Sequence, residues 1–371
     1  MATERILIVD DEETLCEVLK INLENENSAS RLKYSSSFHG AMPERISVTG
    51  FKNYISCPYT FYLRNILNRE EQGAELFELQ PEQSGTIIHN VLEQYGRKFT
   101  SVIPDREDLN KFIITEFEKQ LHAVIGYSIN NIAVMQAAEI KKSLEAFINC
   151  ELAYRQSFKK HEILCSEYKM NVNFAQLHSR IPAQWQKKLP APPEEILKIN
   201  IVGKIDRIDI CNGNDDLTVC NIIDYKSAKK PQSPADAHLN KKCPVHLSGK
   251  SIFAGYDKRG NELYFKDMQL VIYKLLAQFM REELNIPSDI PINCGYFNLP
   301  EDISETSIEF FAELDDEMLF AGFAALQYLL TEIFSEKNFW PPSFEDKYGI
   351  AGTYFPECDS GDFDIQEVAN G

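Results

Sequence analysis

The chain has 371 residues, of which 44% are hydrophobic and 25% charged, and a formal net charge of −18 at pH 7. That is enough apolar material for one elaborated domain or two modest ones, and no run approaches the roughly 20 consecutive apolar residues of a transmembrane helix. The acidic balance argues against broad, sequence-independent adhesion to nucleic acid, while leaving room for a local basic groove beside an acidic metal site.

Residues 4–24 contain Ile6-Leu7-Ile8-Val9 followed at once by Asp10 and Asp11, a run too short and too acidic for a secretory signal. The pattern predicts a buried strand and then an amphipathic helix. Strand, acid pair and helix resemble the opening of a response-regulator receiver domain. No later strands supply a phospho-acceptor, so this is an incomplete receiver-like fragment to which no phosphotransfer is assigned. Residues 25–45 read as a polar linker.

Ser47-Val48-Thr49-Gly50 predicts a short strand and a helix capped near Ser47 or Thr49. The aromatic cluster Cys57-Pro58-Tyr59-Thr60-Phe61-Tyr62 continues it. Ile88, Val91, Leu92, Tyr95 and Phe99 recur at helical period over 85–99. Residues 106–160 read as helical throughout, a helical insertion over the core covering about 100–160. Strands are expected at 162–174, Ile199–Ile210 and Leu217–Lys226. Pro182 and Pro190-Ala191-Pro192-Pro193 mark a long loop between the first two. Lys226, Lys229, Lys230, Lys241, Lys242, Lys250, Lys258 and Arg259 give the following stretch a basic bias, for which solvated surface is the plain alternative. A helix over 265–284, a strand at Pro291–Leu299, a last helix over 315–336 and an acidic irregular tail at 346–371 complete the chain. The nine cysteines are scattered, with no Cys-x-x-Cys, as expected of reduced thiols in a cytoplasmic protein.

Two of the predicted strands carry the chemistry. One holds Gly203-Lys204-Ile205-Asp206 and the next ends in Asp224-Tyr225-Lys226. Asp206 and Asp224 offer the hard oxygen ligands that Mg²⁺ or Mn²⁺ takes. Asp224 follows Ile222-Ile223 in what should be a central strand. An uncompensated carboxylate there is costly, so a cation is its natural partner; a surface hairpin with a charge pair is the alternative. Lys226 shares a strand face with Asp224, where its ammonium would orient or deprotonate an attacking water or form a salt bridge to Asp224. Gln269 and Tyr273, four residues apart, share one helix face. Arg207 and Asp209 flank Asp206 and are explained by opposite-face positions or an ion pair.

From about Ile46 to Phe344 five motifs follow in order: the Ser47–Tyr62 segment ending in Cys-Pro-Tyr-x-Phe-Tyr, Gly85-x-x-x-His89, Gly203-x-x-Asp206, Asp224-Tyr225-Lys226, and Gln269-x-x-x-Tyr273. Together they resemble the RecB-family nuclease domain of the PD-(D/E)xK superfamily, found at the C-terminus of RecB and of the AddA and AddB subunits. The resemblance implies an α/β fold over 46–345, with a restriction-endonuclease-like core, a central mixed sheet flanked by helices, and the inserted helical subdomain. It implies a metal-dependent DNA nuclease, in particular an exonuclease acting in recombination, repair or defence on single- or double-stranded DNA. Asp206, Asp224 and Lys226 would be catalytic. His89, Asp206, Asp224 and the Tyr225 backbone carbonyl would hold Mg²⁺ or Mn²⁺, and Gln269, Tyr273 and Glu167 would contact DNA or support the ligands. No Walker sequence is present, so the chain would act alone or borrow a motor from a helicase or recombination partner, with no membrane involved. A catalytically silent DNA-binding or scaffold module is the alternative, against which the retention of Asp224 and Lys226 argues. Some relatives hold an iron–sulfur cluster through the Cys-Pro-Tyr cysteine and three later ones. Here Cys57 is followed after Trp340 only by Cys358, and a cubane needs four thiolates. No cluster is expected, and Cys57 should be a buried structural thiol.

Overall fold

A computed structural model describes residues 42–68, 79–125, 131–244, 246–247 and 251–337. The receiver-like fragment, nearly all of the linker, Cys358 and the acidic tail lie outside the described residues. The β-branched runs of the middle segment build a six-stranded mixed sheet. Its strands are β1 (Arg45–Ser47), β2 (Lys160–Asn173), β3 (Asn200–Asn212), β4 (Thr218–Lys226), β8 (Ile292–Asn298) and β9 (Ser307–Phe310). A separate three-stranded sheet of β5 (Leu239–Asn240), β6 (Phe253–Tyr256) and β7 (Glu262–Phe265) lies in the crossover between β4 and β8. β4 and β8 run parallel, whereas β2–β3, β3–β4 and β8–β9 are antiparallel.

The register of β3 shapes the site. One edge of β3 is paired along its length by β2. The other edge is shared: β1 takes Asn200 to Val202 in parallel, and β4 takes Arg207 to Asn212. Between them Gly203, Lys204, Ile205 and Asp206 face a gap in the ladder. β1 has turned away there into the Val48–Ser56 helix, which Ser47 caps by accepting a 3.0 Å hydrogen bond from the Gly50 N–H. The unpaired backbone must find other partners, and the side chains that supply them form the cleft described below.

Each face of the sheet is covered. Ile222, Cys220, Cys294 and Tyr296 pack under the Gln269–Phe279 and Asp316–Thr331 helices. Ile163, Ile223, Tyr225 and Phe297 pack under Pro81–Lys98, Arg106–Ile125 and Asn131–Gln156. Within this second layer a fully buried ionic network joins helix to sheet. Arg207 donates to Glu151 at 2.9 Å and to Asp209 at 2.7 Å. His161 lies 3.0 Å from Asp209, and Tyr95 donates to Glu151 at 2.6 Å. The flanking Arg207 and Asp209 are thus indeed paired with each other, away from Asp206.

Several expectations are corrected. Among the described residues the stretch 106–160 holds the helices Arg106–Ile125 and Asn131–Gln156, as expected, but it ends earlier than expected, with the chain already a strand from Lys160. The loop before β3 folds into short helices at Phe174–Arg180, Ala183–Gln186 and Glu194–Leu197, two of them entered from Pro182 and Pro193. Cys57 is half-buried rather than buried, packing at the margin of the first core. The segment Asp316–Glu336 is long and apolar enough to cross a membrane by length and composition, contrary to the expectation from sequence, but most of it is buried here in the protein core.

Gly295 shows how tightly β8 and β9 approach. A Cβ there would lie 2.3 Å from the Glu309 carbonyl oxygen and 2.8 Å from Phe310 Cα. Backbone of the neighbouring strand has little room to yield, so Gly295→Ala is expected to cost about 1–3 kcal/mol in thermal or denaturant unfolding. An unchanged midpoint would contradict the closeness of these strands.

Candidate active site

The gap in β3 opens onto a cleft of about 520 Å³. Ser47, Val48 and Thr49 form one wall, and Gly203, Lys204 and Asp206 the floor. Asp224, Tyr225 and Lys226 enter from the end of β4, His89 from the Pro81–Lys98 helix, and Gln269 and Tyr273 from the Gln269–Phe279 helix.

The ladder between β3 and β4 stops at Arg207 and Ile223. Just beyond it, the Tyr225 N–H donates instead to the Asp206 carboxylate at 2.9 Å. On the other side His89 Nδ1 lies 3.4 Å from the same carboxylate oxygen. Burial pulls the His89 imidazole down, but the hydrogen bond and charge of Asp206, with Asp224 and Glu167 behind it, hold its pKa above the ordinary value.

Asp224 is buried. Gln269 Nε2 donates to its Oδ1 at 2.7 Å, and the Lys226 ammonium lies 2.5 Å from its Oδ2, off the line of a hydrogen bond. Burial and the neighbouring Asp206 charge push the Asp224 carboxyl up to about 6, an effect that Lys226 and His89 only partly offset. Lys226 also donates to Gln269 Oε1 at 3.1 Å and sits 4.8 Å from the centre of the Tyr296 ring. Burial disfavours its ammonium, yet Asp224 outweighs that and raises the pKa. One amide, Gln269, therefore orients both the acid and the lysine of the Asp-Tyr-Lys strand. Tyr273 donates its hydroxyl to the Lys204 carbonyl at 2.6 Å, which satisfies one of the backbone groups stranded in the gap. Tyr225 meets the cleft through its backbone, while its ring packs on Phe147, Phe297 and the edge of His89.

Glu167 stands on β2 directly opposite Asp206, between the pairs Ser166–Arg207 and Tyr168–Ile205. Its backbone is left-handed, with φ +56°, a conformation that costs a residue with a side chain about 1–2 kcal/mol. Its carboxylate forms an ion pair with Lys204. Ligand atoms of His89, Glu167 and Asp206 all lie within 4.8 Å of one another. An imidazole and two carboxylates at this spacing suit a hard or borderline divalent cation.

Of the candidate site residues, His89, Asp206, Asp224, Tyr225, Lys226, Gln269 and Tyr273 line this cleft, and Glu167 stands behind Asp206 and His89. Sequence reasoning missed three contributors. Lys204 was passed over inside its own motif. Asp267 accepts from the Gln269 N–H at 2.9 Å and pairs with Lys52 at 3.0 Å; its place two residues ahead of the helix was the available signal. Gln232 lines the cleft from the loop after β4 without any local pattern to announce it.

Comparison with known proteins agrees with this architecture. Residues 45–346 match the family model of the PD-(D/E)XK nuclease superfamily. Among similar proteins, a subunit of an ATP-dependent helicase/deoxyribonuclease from Carboxydothermus hydrogenoformans is 26% identical over 229 residues, 57% of this chain and 18% of that protein. The protein of the same description from Acetivibrio thermocellus is 25% identical over 221 residues, 58% of this chain and 18% of its own length. That from Ruminiclostridium cellulolyticum is 22% identical over 270 residues, 69% of this chain and 22% of its own. The matches thus span about a fifth of the length of these relatives. With most of the chain matched and the strand order and cleft described above, the protein belongs to the PD-(D/E)XK nuclease superfamily.

Proposed function

We propose that the protein is a metal-dependent deoxyribonuclease, acting as an exonuclease on DNA in repair or recombination, in the cytoplasm, and alongside a helicase-type partner of the kind its relatives' names describe. The observation that carries this reading is the convergence of His89, Asp206, Asp224, Lys226 and Gln269 on one cleft at the break in the β3 ladder. His89, Asp206 and Asp224, with the Tyr225 carbonyl, would hold Mg²⁺ or Mn²⁺. When bound, such an ion supplies Lewis acidity towards the scissile phosphate and lowers the pKa of water.

The side chains account for the remaining work. Lys226, held by Asp224 and Gln269, sits where it can orient the attacking water and offset charge on the phosphate as its phosphorus becomes five-coordinate. Gln269 fixes the carboxylate and the ammonium relative to each other, so neither must reorganise during the reaction. Tyr273 braces the strand that carries Asp206. A hard cation beside an ammonium group matches a phosphate anion, which supports a phosphodiester substrate, and DNA in particular is taken from the superfamily match and the relatives' description.

The test is cleavage of linear and circular DNA, single- and double-stranded, in Mg²⁺, Mn²⁺ or EDTA. Metal-dependent loss of linear DNA with circular DNA spared is the expected result. Cleavage that persists in EDTA, or no turnover on any of these substrates with either metal, would overturn the reading; the second outcome would favour a DNA-binding module that has lost catalysis.

A further inference from the structure

Three carboxylates gather at the cleft, Asp206 and Asp224 on its lining and Glu167 behind Asp206, and each of two ammonium groups is paired with one of them: Lys226 with Asp224 and Lys204 with Glu167. Asp206 alone has no lysine; it takes the Tyr225 N–H and faces His89. Glu167 is held opposite Asp206 by a strained backbone, its side chain only 6% exposed, whereas Lys204 is 47% exposed and reaches in from the solvent side. A residue kept in an unfavourable conformation, aimed at a cluster of metal-type donors, signals a role in that cluster. The one group standing between Glu167 and such a role is the Lys204 ammonium.

We infer that Lys204 is a built-in monovalent counter-ion at Glu167 that competes with metal for this carboxylate and so holds the cleft to a single divalent cation. The inference rests on the metal-dependent reading above and deepens it. The charges support it. With Lys204 and Lys226 in place the three carboxylates leave one net negative charge. One divalent ion and one phosphodiester then bring the cluster back to neutrality, whereas a second divalent ion that displaced Lys204 from Glu167 would leave one uncompensated positive charge, and one that bound beside Lys204 would leave two. Lys204 lines the cleft as well as facing Glu167, so the same ammonium lies within the space a substrate phosphate would enter. Lys204 is thus a positioning residue, acting through Glu167.

The experiment is calorimetric titration of Mn²⁺ into the full chain, without DNA, read as stoichiometry and affinity rather than turnover. The native protein should take one ion. Lys204→Met should either bind a second ion or bind the first about tenfold more tightly, and adding Glu167→Gln in that background should abolish the gain. Lys204→Gln, which keeps a polar group at this largely exposed position, should behave like Lys204→Met and guards against a packing artefact. Unchanged or weaker Mn²⁺ binding in both Lys204 variants, or two ions in the native protein, overturns the inference while leaving the metal-dependent reading intact. A native protein that takes up no Mn²⁺ removes both.

Discussion

Asp224→Asn is expected to lower DNA cleavage by about a thousandfold or more, while the metal-free variant unfolds no more easily than the native protein. Asparagine fills the same volume and can still accept the hydrogen bond that Gln269 donates to Oδ1. What is lost is a charge that the fold works against. Burial and the adjacent Asp206 raise the Asp224 carboxyl to about 6 from an ordinary 3.8, and an acid whose folded pKa is raised subtracts stability above that pH. Removing the charge at neutral pH relieves that penalty but takes from the Lys226 ammonium its main partner, so in the absence of metal the two effects offset and stability should change little. Addition of Mn²⁺ should then raise the melting temperature of the native protein but not of the variant. A variant that cleaves DNA at the native rate, or whose melting temperature rises with Mn²⁺ as the native one does, would remove Asp224 from the site. Lys226→Met should be equally inactive, but through a different loss: the ammonium beside Asp224 that is placed to orient the attacking water and offset charge on the phosphate is gone.

The second large effect belongs to stability. Arg207→Met should destabilise the fold by about 3–5 kcal/mol at neutral pH, because it leaves Glu151 and Asp209 buried without their shared cation. The pH dependence gives an independent check. Burial pushes the Asp209 carboxyl up, but Arg207 and His161 pull it below its ordinary 3.8. The stability this contributes is complete above the unfolded value and is lost as the pH falls through the lower, folded one. In the variant, burial acts on Asp209 with only His161 to oppose it, so protonation ceases to be a penalty. The gap between native and variant proteins, measured by denaturant unfolding, should be widest near neutrality and narrow below about pH 4. A gap independent of pH would show that the network contributes by packing alone.

How much of this was legible beforehand follows from where each signal resides. Asp206, Asp224 and Lys226 declare themselves because strand alternation and the cost of a carboxylate in an apolar run are local properties. His89, Gln269 and Tyr273 were legible only in combination with those, through the order of the motifs. The main strands and helices were legible from periodicity, while their assembly into one mixed sheet was implied only by the family resemblance. The short strands β5, β6 and β7 were not, since two to four residues carry no period to read. The Glu151–Arg207–Asp209–His161 network was hidden for another reason: Glu151 looks like an ordinary acid on a helix, and its partner Arg207 is 56 positions away. The break in the β3 ladder was equally invisible, because it depends on two strands from distant parts of the chain meeting the same edge. The left-handed Glu167 has no sequence signature, since glycine is the residue that usually announces such a backbone.

That break has a consequence for the order of events in folding. The first wall of the cleft hangs on three residue pairs that join β1 to β3 across more than 150 positions of chain, whereas β2, β3 and β4 close over much shorter loops. Contacts that span so much sequence are reached late and slowly. The β2–β4 part of the sheet is thus able to form before the Ser47–Thr49 wall docks, and docking is completed by burying Ile46, Val48 and Phe51 in the first core.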